Sequence, residues 1–516
     1  MNLLRRARQI RTTLPDASPR RAYAYGATAG AVTALGLAPF DLWPVAVFGL
    51  IAGYVLFSAA ATLRRSALIG WAFGTGYFAV ALHWIVEPFA VDAARHLWMA
   101  PFALVFMATG LALFWGAAFA LAHWLAPSPA RWTQGVALAL CLGLAELARS
   151  YVLTGFPWAV LSQIWVSTQA IQWISVIGPH GLVLLALLAV WMPLSVTEGA
   201  VRRAISLVPA LCLGVGALLW PDTAPMAGNN APIIRVIQPN AAQRDKWNPD
   251  MIPLFFDRQV AFTRAPGQTG QRPDLIVWPE TAVPTLLEYA NGAFDVITDA
   301  AQGSTVVMGI QRQNDAQLFN SMVVLDGNGT LTGIYDKHHL VPFGEYIPFG
   351  SVLGQFGLRG LAAEDGDGFS AGPGPALLDL GKAGRALALI CYEAIFPQDV
   401  NRAPTRPDFL LQATNDAWFG TFSGPYQHLA QARMRAIEQG VPMVRAANTG
   451  VSAIIDTQGR VLRHLALDTS GFIDAPLPPA RAATWYSKTG DLPVLLVLLA
   501  GLFALAAVNL SARSKL

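Results

Sequence analysis

Apolar residues in this 516-residue chain are gathered into long uncharged stretches that fill the first 220 residues and recur close to residue 500. A segment of about 20 apolar residues matches the thickness of a bilayer's hydrocarbon core. Inside lipid such a segment must satisfy its own backbone hydrogen bonds, so it folds as a helix. Eight stretches qualify: 22–39, 44–62, 66–86, 97–125, 134–147, 170–196, 205–220 and 493–510. The first and fifth are the weakest, being short, rich in glycine or charged near one end. Only 13% of residues are charged, against roughly 25% in soluble domains, which excludes an ordinary soluble protein. Residues 230–485, in contrast, have globular composition. The expectation is a membrane α-helical bundle of eight transmembrane helices joined to an α/β domain. Residues 1–220 form the membrane domain with about seven helices, 221–485 the extracytoplasmic domain, and 486–516 a last helix with a short cytoplasmic tail.

The loops orient the bundle. Arg5, Arg6, Arg8, Arg11, Arg20 and Arg21 precede the first stretch, Arg64 and Arg65 follow the second, and Arg131 follows the fourth. Arg202 and Arg203 follow the sixth, and Arg513 and Lys515 the eighth. The exits of the first and third carry Asp41, Glu87, Asp92 and Arg95. Positive charge is retained on the cytoplasmic side, so both termini are expected there and the large domain outside. The basic N-terminus reads as a retained signal-anchor, without a cleavage site. A net charge of +3, placed mostly in cytoplasmic loops, argues against a nucleic-acid partner.

Between 231 and 478 short β-branched runs alternate with amphipathic helical stretches, the pattern of a layered α/β domain. Strands are expected at 233–238, 275–278, 305–309, 321–325, 332–335, 386–391, 409–413, 443–446 and 452–455. Helices are expected at 248–265, 286–301 and 426–439. Residues 350–376 read as a long loop, of a length that is usually functional.

Of three cysteines, Cys141 and Cys212 fall in apolar stretches and Cys391 alone in the globular part. A lone cysteine in an oxidising compartment reads as a working thiol, not half of a disulfide. Cys391 closes a strand-like run, where a turn is expected to expose it. Glu280 follows another strand in Trp278-Pro279-Glu280, and Lys337 follows a third after Asp336. A thiol, a carboxylate and an ammonium at strand ends suit a nucleophile, its base and an oxyanion stabiliser.

These motifs occur as Trp278-Pro279-Glu280, Asp336-Lys337-His338-His339-Leu340-Val341-Pro342-Phe343-Gly344-Glu345 and Ile390-Cys391-Tyr392-Glu393. In that order they resemble the Glu-Lys-Cys triad of the nitrilase superfamily. Asn415 to Gly420 and Arg445 to Gly450 follow, with apolar stretches on both sides, and nearly the whole chain is similar to the bacterial apolipoprotein N-acyltransferase family. The resemblance implies a nitrilase-like αββα sandwich and an acyl transfer through a thioester on Cys391. The donor would be a membrane phospholipid, with phosphatidylethanolamine the one expected. The acceptor would be the α-amine of an S-diacylglyceryl cysteine at an apolipoprotein N-terminus, and the site the periplasmic face of the bacterial inner membrane. The triad alone also fits a membrane-tethered amidase or nitrilase, in which water resolves the intermediate; eight spans favour a lipid substrate over mere tethering. A transporter would place more charge within its spans.

Around the triad, Trp247, Glu345, Tyr392 and Glu393 match positions that the family uses near its site; Glu345 and Glu393 read as carboxylates that orient Lys337 or the incoming amine, or that anchor loops by hydrogen bonds. Trp418 and Phe419 read equally as acyl-chain contacts or as core. Asn415, Arg445 and Asn448 read as supports. His338 and His339 lack the further ligands a metal needs, so neither a metal nor any other cofactor is expected. In the apolar half, Glu146 and Arg149 are spaced for an i,i+3 pair. The nearly uncharged segment 151–169 and His83, Trp84 and Glu87 read as interfacial.

Overall fold

The computed structural model describes residues 18–126, 131–196, 199–221, 225, 227–268, 270–315, 317–348 and 368–513. They form two compact units. One gathers the described residues up to Val86, those of His96–Pro221 and those from Thr489 on. The other gathers Glu87–Arg95 and the described residues of Asp222–Lys488.

In the first unit a helix lies in each expected stretch: Pro19–Ala34, Trp43–Ser58, Leu63–Ala81, Ala100–Leu125, Arg131–Tyr151, Ile174–Ser195, Ala200–Leu219 and Leu492–Arg513. Among the described residues, Ala93–Leu125, Gln169–Ser195 and Ala200–Leu219 are long and apolar enough to cross a membrane. A fourth span is added if the bent pair Leu63–Ala81 and His83–Val91 counts as one. Trp43–Ser58 and Leu492–Val508 are apolar but shorter. The unit is thus helical with three to four spans by length and composition, fewer than the eight expected.

Glu146 and Arg149 do form the i,i+3 ion pair, at 3.1 Å, and both are fully buried. A buried pair is tolerated when its remaining hydrogen-bonding capacity is used, and here it is. Trp115 Nε1 donates to Glu146 at 2.9 Å and the Leu161 N–H at 3.2 Å. Arg149 donates to the carbonyls of Phe156 and Trp158. The pair therefore folds the weakly polar segment after Tyr151 into the interior of its own unit, where 157–166 are almost wholly buried.

The second unit is a four-layer sandwich. One six-stranded sheet has the order β12-β1-β2-β3-β4-β5, the other β11-β10-β9-β8-β7-β6. The strands of the first are β1 (Ile233–Gln238), β2 (Leu275–Val277), β3 (Thr305–Asn314), β4 (Gln317–Leu325), β5 (Leu331–Asp336) and β12 (Gly471–Pro476). Those of the second are β6 (Leu377–Asp379), β7 (Arg385–Ile390), β8 (Phe409–Thr414), β9 (Met443–Ala447), β10 (Ala453–Ile455) and β11 (Val461–His464). β1, β2 and β3 run parallel, as do β7, β8 and β9.

Side-chain alternation along the strands builds the layers. On β7, Ala386, Ala388 and Ile390 enter the core between the sheets, beside Val236, Val277 and Leu411. Leu387 and Leu389 face the other way, toward Ala432 and Ala436 of helix Gly424–Gln439. On the far side Ile276 and Val306 meet Val260 and Ile297 of helices Ile252–Arg264 and Asn291–Ala301. Both faces of the parallel strands are buried, which is why these runs are predominantly apolar.

Nine of the twelve strands overlap the expected runs. β3 and β4 extend beyond them as a hairpin whose polar tip is held by Arg312, which pairs with Asp336 at 2.5 Å and covers the Phe319 ring. β6, β11 and β12 were not expected. Of the expected 350–376 loop, residues 350–367 lie outside the described residues.

Candidate active site

Glu280, Lys337 and Cys391 each follow the C-terminal end of a strand, β2, β5 and β7. Ends of this polarity in an α/β sheet converge on one edge, where ligands are customarily bound.

Cys391 opens a 3-10 turn, Cys391–Ile395, with φ at +50°. A non-glycine residue there carries backbone strain of about 1–3 kcal/mol, typical of functional turns. The turn is clamped from both sides. Glu393 accepts the Ile390 N–H at 2.6 Å, while the Cys391 carbonyl accepts from Gln412 Nε2 and lies 3.1 Å from His428 Nε2. The thiol is not exposed as expected. It is 5% accessible and belongs to the core between the sheets. Burial, then the Glu280 charge, push its pKa well above the ordinary thiol value, against an opposing pull from Lys337. The resting group is a thiol that needs a base.

Glu280 supplies a carboxylate within reach of that thiol's field. Its Oε1 accepts from Asn320 Nδ2 at 2.7 Å and its Oε2 from the Asn415 N–H at 2.8 Å. Burial raises its pKa, and Glu345 adds to this, while Lys337, Asn320 and Lys246 lower it. A carboxylate displaced upward in this way is better matched to taking a proton at neutral pH. The Trp278 indole packs in the core with helix Ile252–Arg264 and donates to Thr263 Oγ1 at 2.9 Å, not to Glu280. The Glu280 backbone folds over Gly309, where a Cβ would lie 2.4 Å from the Thr281 nitrogen.

Lys337 is 1% exposed, 2.9 Å from Glu345 and 3.8 Å from Glu280. Burial works against its ammonium, but Glu345, Glu280 and Cys391 outweigh it and hold the pKa above that of an ordinary lysine. It remains a fixed positive charge, suited to a developing oxyanion.

The remaining expected residues divide by role. Glu345 orients Lys337 and accepts from the Val341 N–H at 2.8 Å. Glu393 is fully buried and accepts from Tyr335 Oη, from the His338 and His339 N–H groups, and from Ile390. Tyr392 is 4% exposed and set edge-on to Phe396. Trp247 is 42% exposed and lines a small recess with Glu280 and Thr281. Phe419 packs on the core between the sheets and edge-on to His428, whereas Trp418 is half-buried. Their short helix, Asp416–Phe419, packs against Pro88–Val91. Next to it Gly420, at φ +69°, comes so near Glu87 that a Cβ would lie 2.6 Å from the carboxyl carbon.

Asn448 donates to Asn415 Oδ1, and Arg445 holds Asp416 and Gln412. Asn320, Lys246, Gln412 and His428 belong to the site but have no sequence signal that marks them, whereas Asp416 lies in the 415–420 motif without being singled out by it. Asn320 lies within a hydrophobic strand and His428 within an amphipathic helix. Among the described residues no group of three or more His, Cys, Asp or Glu is arranged to hold a metal.

Residues 255–487 match the carbon-nitrogen hydrolase family, and 29–192 match the apolipoprotein N-acyltransferase N-terminal domain. An apolipoprotein N-acyltransferase of Brucella melitensis is 38% identical, over 94% of this chain and 95% of its own length. That of Rhodopseudomonas palustris is also 38% identical, over 90% and 91%. This chain belongs to the apolipoprotein N-acyltransferase family. As a member it is an acyltransferase of lipoprotein maturation and a membrane protein, its apolar helices consistent with insertion. Among solved structures an amidase from Nesterenkonia sp. is similar at 17% identity and a TM-score of 0.36, over 53% of this chain and 98% of the amidase.

Proposed function

We propose that this apolipoprotein N-acyltransferase works through Cys391 as nucleophile, Glu280 as general base and acid, and Lys337 as oxyanion stabiliser. The observation that carries the reading is a buried thiol on a strained turn at a strand end, beside a buried carboxylate and ammonium 3.8 Å apart at the ends of two other strands. Glu280 takes the Sγ proton as sulfur attacks the acyl ester of a phospholipid, and the oxyanion forms opposite Lys337. Collapse breaks the ester C–O bond, and Glu280 returns its proton to the departing lysophospholipid oxygen. The α-amine of an S-diacylglyceryl cysteine then attacks the thioester. Glu280 removes its proton and hands it back to sulfur as the amide forms. The donor is phosphatidylethanolamine.

Trp247, Trp418 and Phe419 serve the lipid substrates. Glu345, Tyr392 and Glu393 keep the turn and the lysine in place. Residues 1–220 and 486–516 supply eight transmembrane helices, and 221–485 act on the periplasmic side of the inner membrane.

The test is intact-protein mass spectrometry of wild type beside Cys391→Ala after incubation with phosphatidylethanolamine. The expected result is a hydroxylamine-labile acyl adduct on wild type alone, discharged by a diacylated N-terminal-cysteine peptide. Absence of both adduct and lysophospholipid, in folded protein, would overturn the reading and favour hydrolysis of a C–N bond.

A further inference from the structure

The triad and Glu345 together bring two carboxylates and one ammonium into a buried space, an arrangement short of one positive charge. Lys246 is a second lysine at the same place. It is 8% exposed, and a lysine is almost never buried unless paired. Its Nζ donates to the Glu280 carbonyl oxygen at 3.0 Å and to Thr281 Oγ1 at 2.7 Å. It thus grips the backbone of the residue whose side chain is the base. That backbone needs a grip, because Thr281 sits at φ +45°, a genuine outlier for a β-branched residue.

We infer that Lys246 is a positioning residue for the general base, holding the strained Glu280–Thr281 turn and supplying a second positive charge beside Glu280 and Glu345. The inference rests on the reading of Glu280 as the base. The groups facing Glu280 are Lys337, Glu345 and Lys246, and those facing Cys391 are Glu280, Lys337 and Asp416. Lys246 in turn senses both Glu280 and Cys391, and burial brings its own pKa down to about 8 against their pull. Its charge is present at neutral pH and lowers the Glu280 pKa. Removing it leaves the base protonated over a wider range of acid pH, an effect that a purely structural clamp would not have.

The experiment measures the rate of Cys391 alkylation by iodoacetamide against pH in the full chain in detergent. Wild type is compared with Lys246→Gln, Lys246→Arg and Glu280→Gln, and melting is followed in parallel. Lys246→Gln is expected to move the acid limb upward by about one pH unit, so that the rate falls about tenfold at pH values below the wild-type limb. Lys246→Arg is expected to restore the limb to its wild-type position. A Lys246→Gln profile that overlays wild type, with Glu280→Gln slowed a hundredfold or so, overturns the inference and leaves the base assignment standing. A Glu280→Gln profile that overlays wild type overturns the base assignment itself. If Lys246→Gln does not fold, the arginine variant decides. A wild-type limb supports the inference, and a folded Lys246→Arg with the rate lost overturns it.

Discussion

The carboxylate of Glu393 accepts the backbone N–H of Ile390 at 2.6 Å, one residue before Cys391. The same side chain collects three further donors, from Tyr335, His338 and His339, so it joins the nucleophile's turn to the segment that follows Lys337. Glu393→Ala leaves these buried donors unsatisfied, at about 1–3 kcal/mol for each group so stranded. The expected result is a melting temperature about 10 °C lower and no acyl adduct. Glu393→Gln keeps one acceptor oxygen and loses less stability, but is also expected to lose the adduct. An alanine variant that melts and acylates like wild type would dispose of this role.

Asn320 bridges Glu280 at 2.7 Å and Glu345 at 3.2 Å through a single amide nitrogen. Its hydrogen bond lowers the Glu280 pKa, so Asn320→Ala raises it. The acid limb of the pH–rate profile should move upward, with kcat down about tenfold and KM little changed. A change confined to KM would point instead to substrate contact.

His338 lies 2.6 Å from Glu393 and 3.6 Å from Asp399. Burial opposes its charge, but these two carboxylates prevail and raise its pKa to about 9. Burial likewise opposes the Asp399 charge, and the histidines hold that carboxyl down at about 2. The histidine's contribution to stability is therefore complete below about 6.5, the unfolded value, and is lost as pH rises through about 9. The aspartate's is complete above about 3.9 and is lost as pH falls through about 2. The melting gap between wild type and His338→Gln should be widest near pH 6 and close above pH 9. A gap independent of pH would show that the imidazole is neutral in the folded state.

Asp416 is fully buried between Arg445 and His428, with Thr414 Oγ1 donating to it at 2.9 Å. Burial raises its pKa, but Arg445 and His428 outweigh that and bring it to about 2. Asp416→Asn strands the guanidinium of Arg445 in the interior, at about 3–5 kcal/mol. A fall of about 10 °C in melting temperature is expected. Because His428 and Gln412 meet the Cys391 carbonyl, alkylation of Cys391 should slow as well. Unchanged melting would mean that the pair is dispensable.

The layered architecture was legible because the central strands are buried on both faces. Runs such as Leu275–Val277 and 409–411 are continuously apolar. β12 gave no such signal, since Asp474 lies in its middle. That charge is accommodated by Arg235 directly across on β1, at 2.7 Å, and by the Gln268 N–H, at 2.8 Å, and sequence does not display such distant partners. β11 is an exposed edge, and β6 has three residues. The triad was legible as residue types at strand ends. Its environment was not: the depth of Cys391 depends on two sheets closing over it, and Lys246, Asn320 and His428 arrive from elements that carry no motif. The span count shows the opposite limit. Pro19–Ala34 has only 16 residues and Arg131–Tyr151 carries Glu146 and Arg149, so length and composition do not establish either as a span.

The depth of Cys391 has a consequence for the enzyme's durability. Oxidants convert thiolates to sulfenic and then to irreversible sulfinic acids, and they select exposed thiols of low pKa. Cys391 has the opposite properties, being enclosed and held protonated until its base acts. A thiol stored in this form resists peroxide and stray disulfides without a reductase to repair it.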